Sequence, residues 1–497
     1  MRRRPSPEAL AYAALVAAAL AVRLIDLGDR PFHHDESQDA YFSWVLRTSG
    51  DYEYDPLLHG PLRFYLTAAT FLVFGDSDFT ARLMPAVMGT GLVALCWLLR
   101  PLLGRVAAFA AAVAFAFGPT FLYFSRFARE DVYAVCVTLA LLAVTFRFLE
   151  RPRPHQPALI GALLALSFAT KETTYITVFV AGLFFLGMLV WARERLLGPV
   201  RAVGLEAWGW AAAAFIGVFT LLFTTFLTNA AGLWDGLYES WHYWLGQHDV
   251  GRGGEKWFFY LVVLAGEEWP ALLLGAVGAV VALRRPTLLR VFLVWAFAVS
   301  LVVYSWAGVK FAWLVLHPLL PLTLLAGLGV QAIWEARASW PGRLGMAAVA
   351  VCVLYAGVAS YWVNAVHRAD PRELLVSTQS SEAVLGIRDR VLALRDPRVT
   401  VDGADGATFP WAWYFRDLPV AYIDLSEGGK LPPSDVALLT ERSRDRLGLG
   451  GREFPFRVWW VRDYGAITLA RWWRWLTRRE PWNDTGGLPE WLYVPRR

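Results

Sequence analysis

The stretch His33-His34-Asp35-Glu36-Ser37-Gln38-Asp39-Ala40-Tyr41 packs five ionisable side chains into nine residues, directly after the first long apolar run of the chain. Water is scarce at that depth and an unpaired charge is costly there, so such a cluster calls for a chemical reason. Asp35 and Glu36 are adjacent, and on an extended loop their carboxylates point to opposite sides, leaving only one to face a given substrate. Asp35 is the first choice. A partly desolvated carboxylate at a membrane surface has its pKa lifted toward the range of a general base acting on a hydroxyl nucleophile. The competing reading has Asp35 capping a helix that begins near Ser37 and Glu36 merely solvated. His34, Asp35 and His59 are the residues a divalent metal would use. Adjacent histidines rarely chelate one ion together, however, and no His-x3-His spacing accompanies them, so no cofactor is required by the pattern.

Polar residues recur at other helix ends that the topology below places on the same membrane face. Ser125-Arg126-Phe127-Ala128-Arg129-Glu130-Asp131 lies between two apolar runs, and Lys171-Glu172-Thr173-Thr174-Tyr175 occupies a hairpin turn. Glu267 lies in the outer half of another run, and Lys310 precedes a helix containing His317-Pro318 and Pro321. Carboxylates and cations repeated in short outer loops imply a cavity lined by both signs. Lysine usage sharpens this. The only lysines are Lys171, Lys256, Lys310 and Lys430, against a background of arginine. Lysine binds phosphate as a flexible point charge, so Lys171 and Lys310 read as phosphate contacts. Snorkelling at helix ends is the plainer alternative, and arginine would serve it equally well.

These residues need a scaffold that holds them at one depth. Of the 497 residues, 57% are hydrophobic and 18% charged, a composition far from that of soluble proteins. The formal net charge of +5 comes largely from arginines in short loops, which is membrane topology and not nucleic-acid binding. Cys96, Cys136 and Cys352 all fall inside apolar runs, so neither a disulfide nor a cysteine metal site is expected. Eleven transmembrane helices are expected, the first from Ala9 to about Leu27 and uncleaved. The others are Ala81 to Leu99, Val106 to Phe124, Val132 to Leu149, Ala158 to Thr170, Thr173 to Trp191, Trp208 to Leu227, Trp257 to Leu283, Val291 to Trp306, Ala312 to Trp334 and Leu344 to Val363. Two surface helices, Ser37 to Gly50 and Pro61 to Phe74, are expected in the first outer loop. Arginines such as Arg100, Arg105, Arg147, Arg284, Arg285 and Arg337 then lie on the side of Arg2 to Arg4, which the positive-inside bias places in the cytoplasm. The expected fold is an all-α polytopic membrane domain over residues 1–363, followed by a small extracytoplasmic α/β domain over 364–497. In that tail the sequence predicts helices over Ser380 to Leu394 and Ala466 to Arg478. Short strands are expected at Val399 to Val401, Val420 to Ile423, Val436 to Leu439 and Phe456 to Val461. Trp411, Trp413, Tyr414 and Phe415 read either as core or as a glycan-binding face, core being the commoner use of such residues.

Several short motifs, in this order, resemble one family. Asp35-Glu36 follows the first span, His59-Gly60-Pro61-Leu62 opens a surface helix, and Ala81-Arg82-Leu83-Met84-Pro85 opens the second span. Ser125-Arg126 with Glu130-Asp131, then Ala169-Thr170-Lys171-Glu172, then His317-Pro318 with Pro321 follow. The pattern, over about Arg23 to Gly329, is similar to the GT-C glycosyltransferases of the protein O-mannosyltransferase and lipid A aminoarabinose transferase group. Within that group it most resembles a branch of archaea and Chloroflexi-type bacteria labelled flippase-activity-associated. The resemblance implies an enzyme of the cytoplasmic membrane that moves a sugar, usually with inversion, from a polyprenyl-phosphate donor to a hydroxyl acceptor on a glycan, lipid or protein at the outer face. Asp35 matches the family's first-loop acidic residue, with Glu36 beside it. Arg126, Lys171 and Lys310 would meet the donor phosphate, and His59 would shape the site. Glu130, Asp131, Glu172, Glu267 and His317 complete the substrate-binding set. Two departures bear on the acceptor: His59-Gly60-Pro61 stands where mannosyltransferases have His-Pro-Pro, and the lumenal sugar-binding module of eukaryotic members is not expected here.

Two other functions fit a polytopic chain with outer charges. A flippase or transport component for lipid-linked sugars would carry charges at mid-membrane and inverted repeats, whereas here the charges sit at one face and no repeat is visible. A non-catalytic accessory protein would have an incomplete polar cavity.

Overall fold

The computed structural model describes residues 6–250, 256–462 and 465–496. Among these, eight helices are long and apolar enough to cross a membrane, and the bent pair Phe259–Glu267 and Trp269–Arg284 offers a ninth crossing. The chain is a multi-pass membrane protein, mostly helical, with a small mixed sheet toward its C-terminus. The expected eleven crossings overcount by this measure, and local chemistry locates the difference. The run from Val106 to Phe124 breaks at Gly118, whose extended backbone is what the ring of Pro119 imposes on the residue before it. Pro119 then opens a new short helix. Arg105–Phe117 is left with 13 residues, as is Gln156–Phe168, against the roughly 20 a crossing needs. Trp257 to Leu283 breaks at Glu268, ahead of Pro270, and its halves meet at 99°. Leu62–Phe74, expected not to cross, also has 13 residues.

The contacts group the chain into two compact units. The first takes in residues through Ile25, Asp51–Leu66 and Leu83–Asn364. Its central element is Leu316–Glu335, buried from Leu316 to Gly329 and packed against Trp269–Arg284 and Arg105–Phe117. Glycine makes that approach possible. A Cβ on Gly278 would fall 1.8 Å from the Leu325 carbonyl oxygen, and one on Gly329 2.1 Å from that of Leu274. Helix ends in this unit are closed by side chains from neighbouring helices. Gln331 Oε1 accepts from Ala107 N at 3.1 Å, and Glu268 Oε1 from Thr120 N at 3.0 Å, satisfying amides that lack an intrahelical partner.

The second unit takes in Asp26–Gly50, Thr67–Arg82 and the chain from Ala365 onward. Its sheet runs in the order β2-β1-β3-β5-β4, from β1 (Val399–Asp402), β2 (Val420–Ile423), β3 (Val436–Thr440), β4 (Gly451–Arg462) and β5 (Thr485–Pro495). β1 pairs parallel with β2 and β3, while β5 pairs antiparallel with β3 and β4. The four expected strands are present, and the helices expected over Ser380 to Leu394 and Ala466 to Arg478 appear as Ala383–Leu392 and Leu469–Arg478. The core gathers Val399, Val401, Val436, Leu438 and Val458 from the sheet with Trp411, Trp413, Tyr414 and Phe415, so these aromatics are core and not a glycan face. The helix His34–Ser49 contributes Ala40 and Trp44 to the same core, beside Phe32 and Phe71. The apolar face expected to lie on the membrane surface thus meets protein. Asp402 closes the strand ends: its carboxylate accepts from the amides of Ala404, Leu425 and Thr440 and from the Thr440 hydroxyl at 2.5 Å.

Candidate active site

Three helix junctions of the first unit bring charge together. Glu130 and Asp131 sit at the N-terminus of Asp131–Glu150, where the helix dipole favours anions. Lys171 and Glu172 lie in the break before Thr173–Trp191, and His317 is on the first turn of Leu316–Glu335. The turn at His59-Gly60 completes the set because it lies directly on that break: Leu62 N donates to the Ala169 carbonyl at 2.9 Å. A Cβ on residue 60 would fall 2.2 Å from the same oxygen, so glycine is the residue that fits.

Lys171 Nζ lies 2.8 and 2.9 Å from the two Asp131 oxygens and 2.9 Å from Glu130 Oε1, so each ammonium proton has a carboxylate oxygen to meet. Arg63 Nη1 reaches Glu130 Oε2 at 2.5 Å, and its Nη2 donates to the Leu58 carbonyl. Arg129 spans Glu130 at 3.1 Å and Asp131 at 3.5 Å, with its guanidinium 4.3 Å over the Trp313 ring. Three cations, Arg63, Arg129 and Lys171, thus meet two carboxylates, Glu130 and Asp131, out of water, and Glu172 joins the cluster through His59. Burial alone would raise the Glu130 carboxyl, but Arg129, Lys171 and Arg63 beside it hold it well below the usual range.

His59 links this network to the rest of the loop. Its Nδ1 is 2.6 Å from Glu172 Oε2 and its Nε2 is 3.4 Å from Arg129 Nη2. The same Nε2 lies 3.4 Å from Glu130 Oε1, so the ring stands between the two carboxylates Glu172 and Glu130. Trp244 stacks on the ring face at 4.7 Å. His317 stacks on Tyr304 at 5.1 Å, with Nε2 3.8 Å from Asp131.

Of the residues expected from sequence, His59, Glu130, Asp131, Lys171, Glu172 and His317 come together in this cluster. Arg126 is placed otherwise, donating to the Ile25 carbonyl at 2.6 Å. Lys310 is buried and donates to the Ala307 carbonyl, and Glu267, fully buried, ends its helix at the 99° bend. The sequence singles out neither Arg63 nor Trp244, and Arg129 only as part of the Ser125-to-Asp131 stretch. Arg63 stands in the first turn of Leu62–Phe74, directly after the His59-Gly60-Pro61-Leu62 motif, and that position was the available signal.

Asp35 and Glu36 belong to the second unit, in the first turn of His34–Ser49. The cap is His33, whose Nδ1 accepts from Asp35 N at 3.0 Å while its Nε2 lies 3.0 Å from the Ser377 carbonyl oxygen. Asp35 is therefore not the capping residue. Its carboxylate lies 3.1 Å from His34 Nδ1 and its side chain keeps 28% of its exposure. Glu36 is wholly buried. Arg82 holds it in a fork, at 2.8 Å to each oxygen, Arg30 reaches Oε1 at 3.2 Å and His33 N donates to Oε2 at 3.0 Å. Burial alone would raise the Glu36 carboxyl, but Arg82 and Arg30 bring it down to about 2. Among the described residues no group of three or more His, Cys, Asp or Glu side chains is arranged to hold a metal ion, which leaves His34, Asp35 and His59 without a ligand geometry.

Comparison with known proteins bears on this architecture. Residues 58–218 match the family described as dolichyl-phosphate-mannose-protein mannosyltransferase, a stretch that holds His59, Arg63, Glu130, Asp131, Lys171 and Glu172. No curated protein sequence matches the chain. Among solved structures, ArnT from Cupriavidus metallidurans bound to undecaprenyl phosphate aligns with a TM-score of 0.61 at 16% identity, over 96% of this chain and 97% of that one. The apo form of that protein aligns with a TM-score of 0.58. The Archaeoglobus fulgidus oligosaccharyltransferase AglB, in complex with an inhibitory peptide and a dolichol-phosphate, aligns with a TM-score of 0.51 at 12% identity, over 78% of this chain and 62% of that one. The fold is that of the GT-C membrane glycosyltransferases.

Proposed function

We propose that the protein transfers a sugar from a polyprenyl-phosphate donor to a hydroxyl acceptor at the outer face of the cytoplasmic membrane. The observation that carries this reading is the buried cluster of three cations on Glu130 and Asp131, with Glu172 joined through His59, assembled from junctions of a GT-C fold inside the stretch matching the mannosyltransferase family. ArnT, similar over nearly the whole chain, was solved with undecaprenyl phosphate, and AglB with a dolichol-phosphate; both support a lipid-phosphate donor here.

Asp35 is the base in this proposal. It takes the proton from the acceptor hydroxyl as the oxygen bonds to the anomeric carbon, and the bond from that carbon to the phosphate oxygen breaks. One displacement inverts the anomeric centre and releases the polyprenyl phosphate with one more negative charge. Fixed cations stabilise that developing charge. Arg126, Lys171 and Lys310 are the proposed contacts, and Lys171 serves by exchanging a carboxylate oxygen for a phosphate oxygen. Glu36, neutralised by Arg82 and Arg30, holds the turn that presents Asp35.

The test is to incubate the purified protein with a panel of radiolabelled polyprenyl-phosphate sugars, with and without chelator. Transfer of one label to a hydroxyl acceptor supports the reading. No transfer from any donor, with the acceptors supplied as glycan, lipid and protein, contradicts it.

A further inference from the structure

The helix Leu469–Arg478 in the second unit has no part in the cluster just described. One side of it is anchored. Trp475 is fully buried, its Nε1 donates to the Arg372 carbonyl at 2.7 Å, and Arg479 lies 4.0 Å over its ring. The N-terminus is capped by Thr468, which accepts from Arg471 N at 3.2 Å. The other side carries large apolar groups in the open. Leu469 is 81% exposed and Trp473, one turn later, 58%, with the half-buried Trp472 ring 6.4 Å from that of Trp473. Arg474 and Arg478, both exposed, share a strip with the half-buried Arg471 on the face turned away from Leu469 and Trp473; Arg471 Nη1 donates to the Ala466 carbonyl at 2.6 Å, and Arg478 lies 3.5 Å from Glu480. From Thr468 to Arg479 the chain has four arginines and no acidic residue.

We propose that this helix lies in the headgroup layer of a lipid bilayer, with Leu469 and Trp473 inserted at the interface and Arg471, Arg474 and Arg478 on the phosphates of anionic phospholipids. Tryptophan, with an apolar ring and a polar N–H, settles at this depth, and an arginine stem can cover apolar surface while its head reaches phosphate. The combination of aromatic edge and cationic strip is that of helices lying in the interfacial plane. A strip of one sign complements a surface of phosphodiester anions. A neutral glycan would give Arg471 and Arg474 no counter-charge, Arg478 alone having Glu480 at 3.5 Å, and a protein partner would need an acidic face of its own. Lipid is always present around a multi-pass chain. The assignment is independent of the proposed sugar transfer.

The experiment places an environment-sensitive NBD probe at position 473 through Trp473→Cys in the full chain, whose native Cys96, Cys136 and Cys352 are buried. The labelled protein is reconstituted in phosphatidylcholine vesicles with or without phosphatidylglycerol, and quenching by shallow doxyl-labelled lipid is read. The expected result is a blue-shifted, quenched probe, with quenching several-fold stronger when phosphatidylglycerol is present. Replacing the three arginines by glutamine should remove that gain, since each is worth roughly five-fold in partitioning to an anionic surface. A probe with water-like emission and no quenching overturns the proposal, as does quenching indifferent to both phosphatidylglycerol and the arginines. Protection that rises with protein concentration in lipid-free detergent makes a second copy the occupant, and protection that appears only on adding oligosaccharide makes it a glycan; either overturns the lipid assignment.

Discussion

Glu36 and Glu490 are both buried carboxylates of the second unit, yet their surroundings push them opposite ways. Glu36 is held at about 2 by two arginines, against an ordinary value of 4.5. A depressed carboxylate adds stability above its unfolded pKa and loses it as pH falls through the folded one, so the Glu36 contribution is complete above about pH 4.5 and gone near pH 2. Glu36→Gln should cost about 3 kcal/mol of unfolding free energy at pH 7, a difference that shrinks as the pH of detergent-phase melts is lowered from 5 toward 2. Glu490 is pushed up to about 8, chiefly by burial, although Trp411 Nε1 donates to it at 3.0 Å. Here the folded state keeps a proton the unfolded state releases, so stability falls as pH rises from about 4.5 to 8. Glu490→Gln should flatten that fall, and a melting temperature that declines over the window as in the wild type would refute the assignment. Little of this was legible in sequence. Arg82 and Arg30 lie 46 and six positions from Glu36 in the chain, and although Arg82 stands in the Ala81-to-Pro85 motif no local pattern pairs either arginine with Glu36.

At the scale of elements, the junctions carry the account. His59 takes a φ of 65°, rare outside glycine, and Gly60 sits against the Ala169 carbonyl with no room for a side chain. Gly60→Ala should therefore displace the turn that seats His59 on Glu172, lowering the melting temperature and cutting turnover at least ten-fold. Wild-type turnover in that variant would mean the turn does not position the site. The strong apolar periods and the four Val-rich strands were readable from sequence because pattern and burial agree there. Breaks were not, where one proline outweighs a continuous apolar run, as at Pro119 and Pro270. β5 escaped notice because Gly486-Gly487 and Pro489 weaken its strand signal. Pro489 pairs only with Arg457, at a register shift, beyond the part of β5 that pairs with β3.

For the whole molecule, composition and the order of short motifs were enough to read a GT-C membrane fold with a small α/β unit after it. They could not show that residues 26–50 and 67–82 pack with the C-terminal unit, because that depends on long-range contacts such as Phe32 with Trp413, 381 positions apart, for which no local pattern exists. The central claim is chemical: a bond between sugar and phosphate is broken with Asp35 as base. Its most direct measurement follows radiolabelled sugar from the polyprenyl-phosphate donor that the panel identifies, using wild type and Asp35→Asn side by side with melting curves for both. The account predicts label on the acceptor with wild type, a loss of at least a hundred-fold in Asp35→Asn, and an unchanged melting temperature. Full turnover by Asp35→Asn, or label that crosses the bilayer still bound to its lipid phosphate, would contradict it.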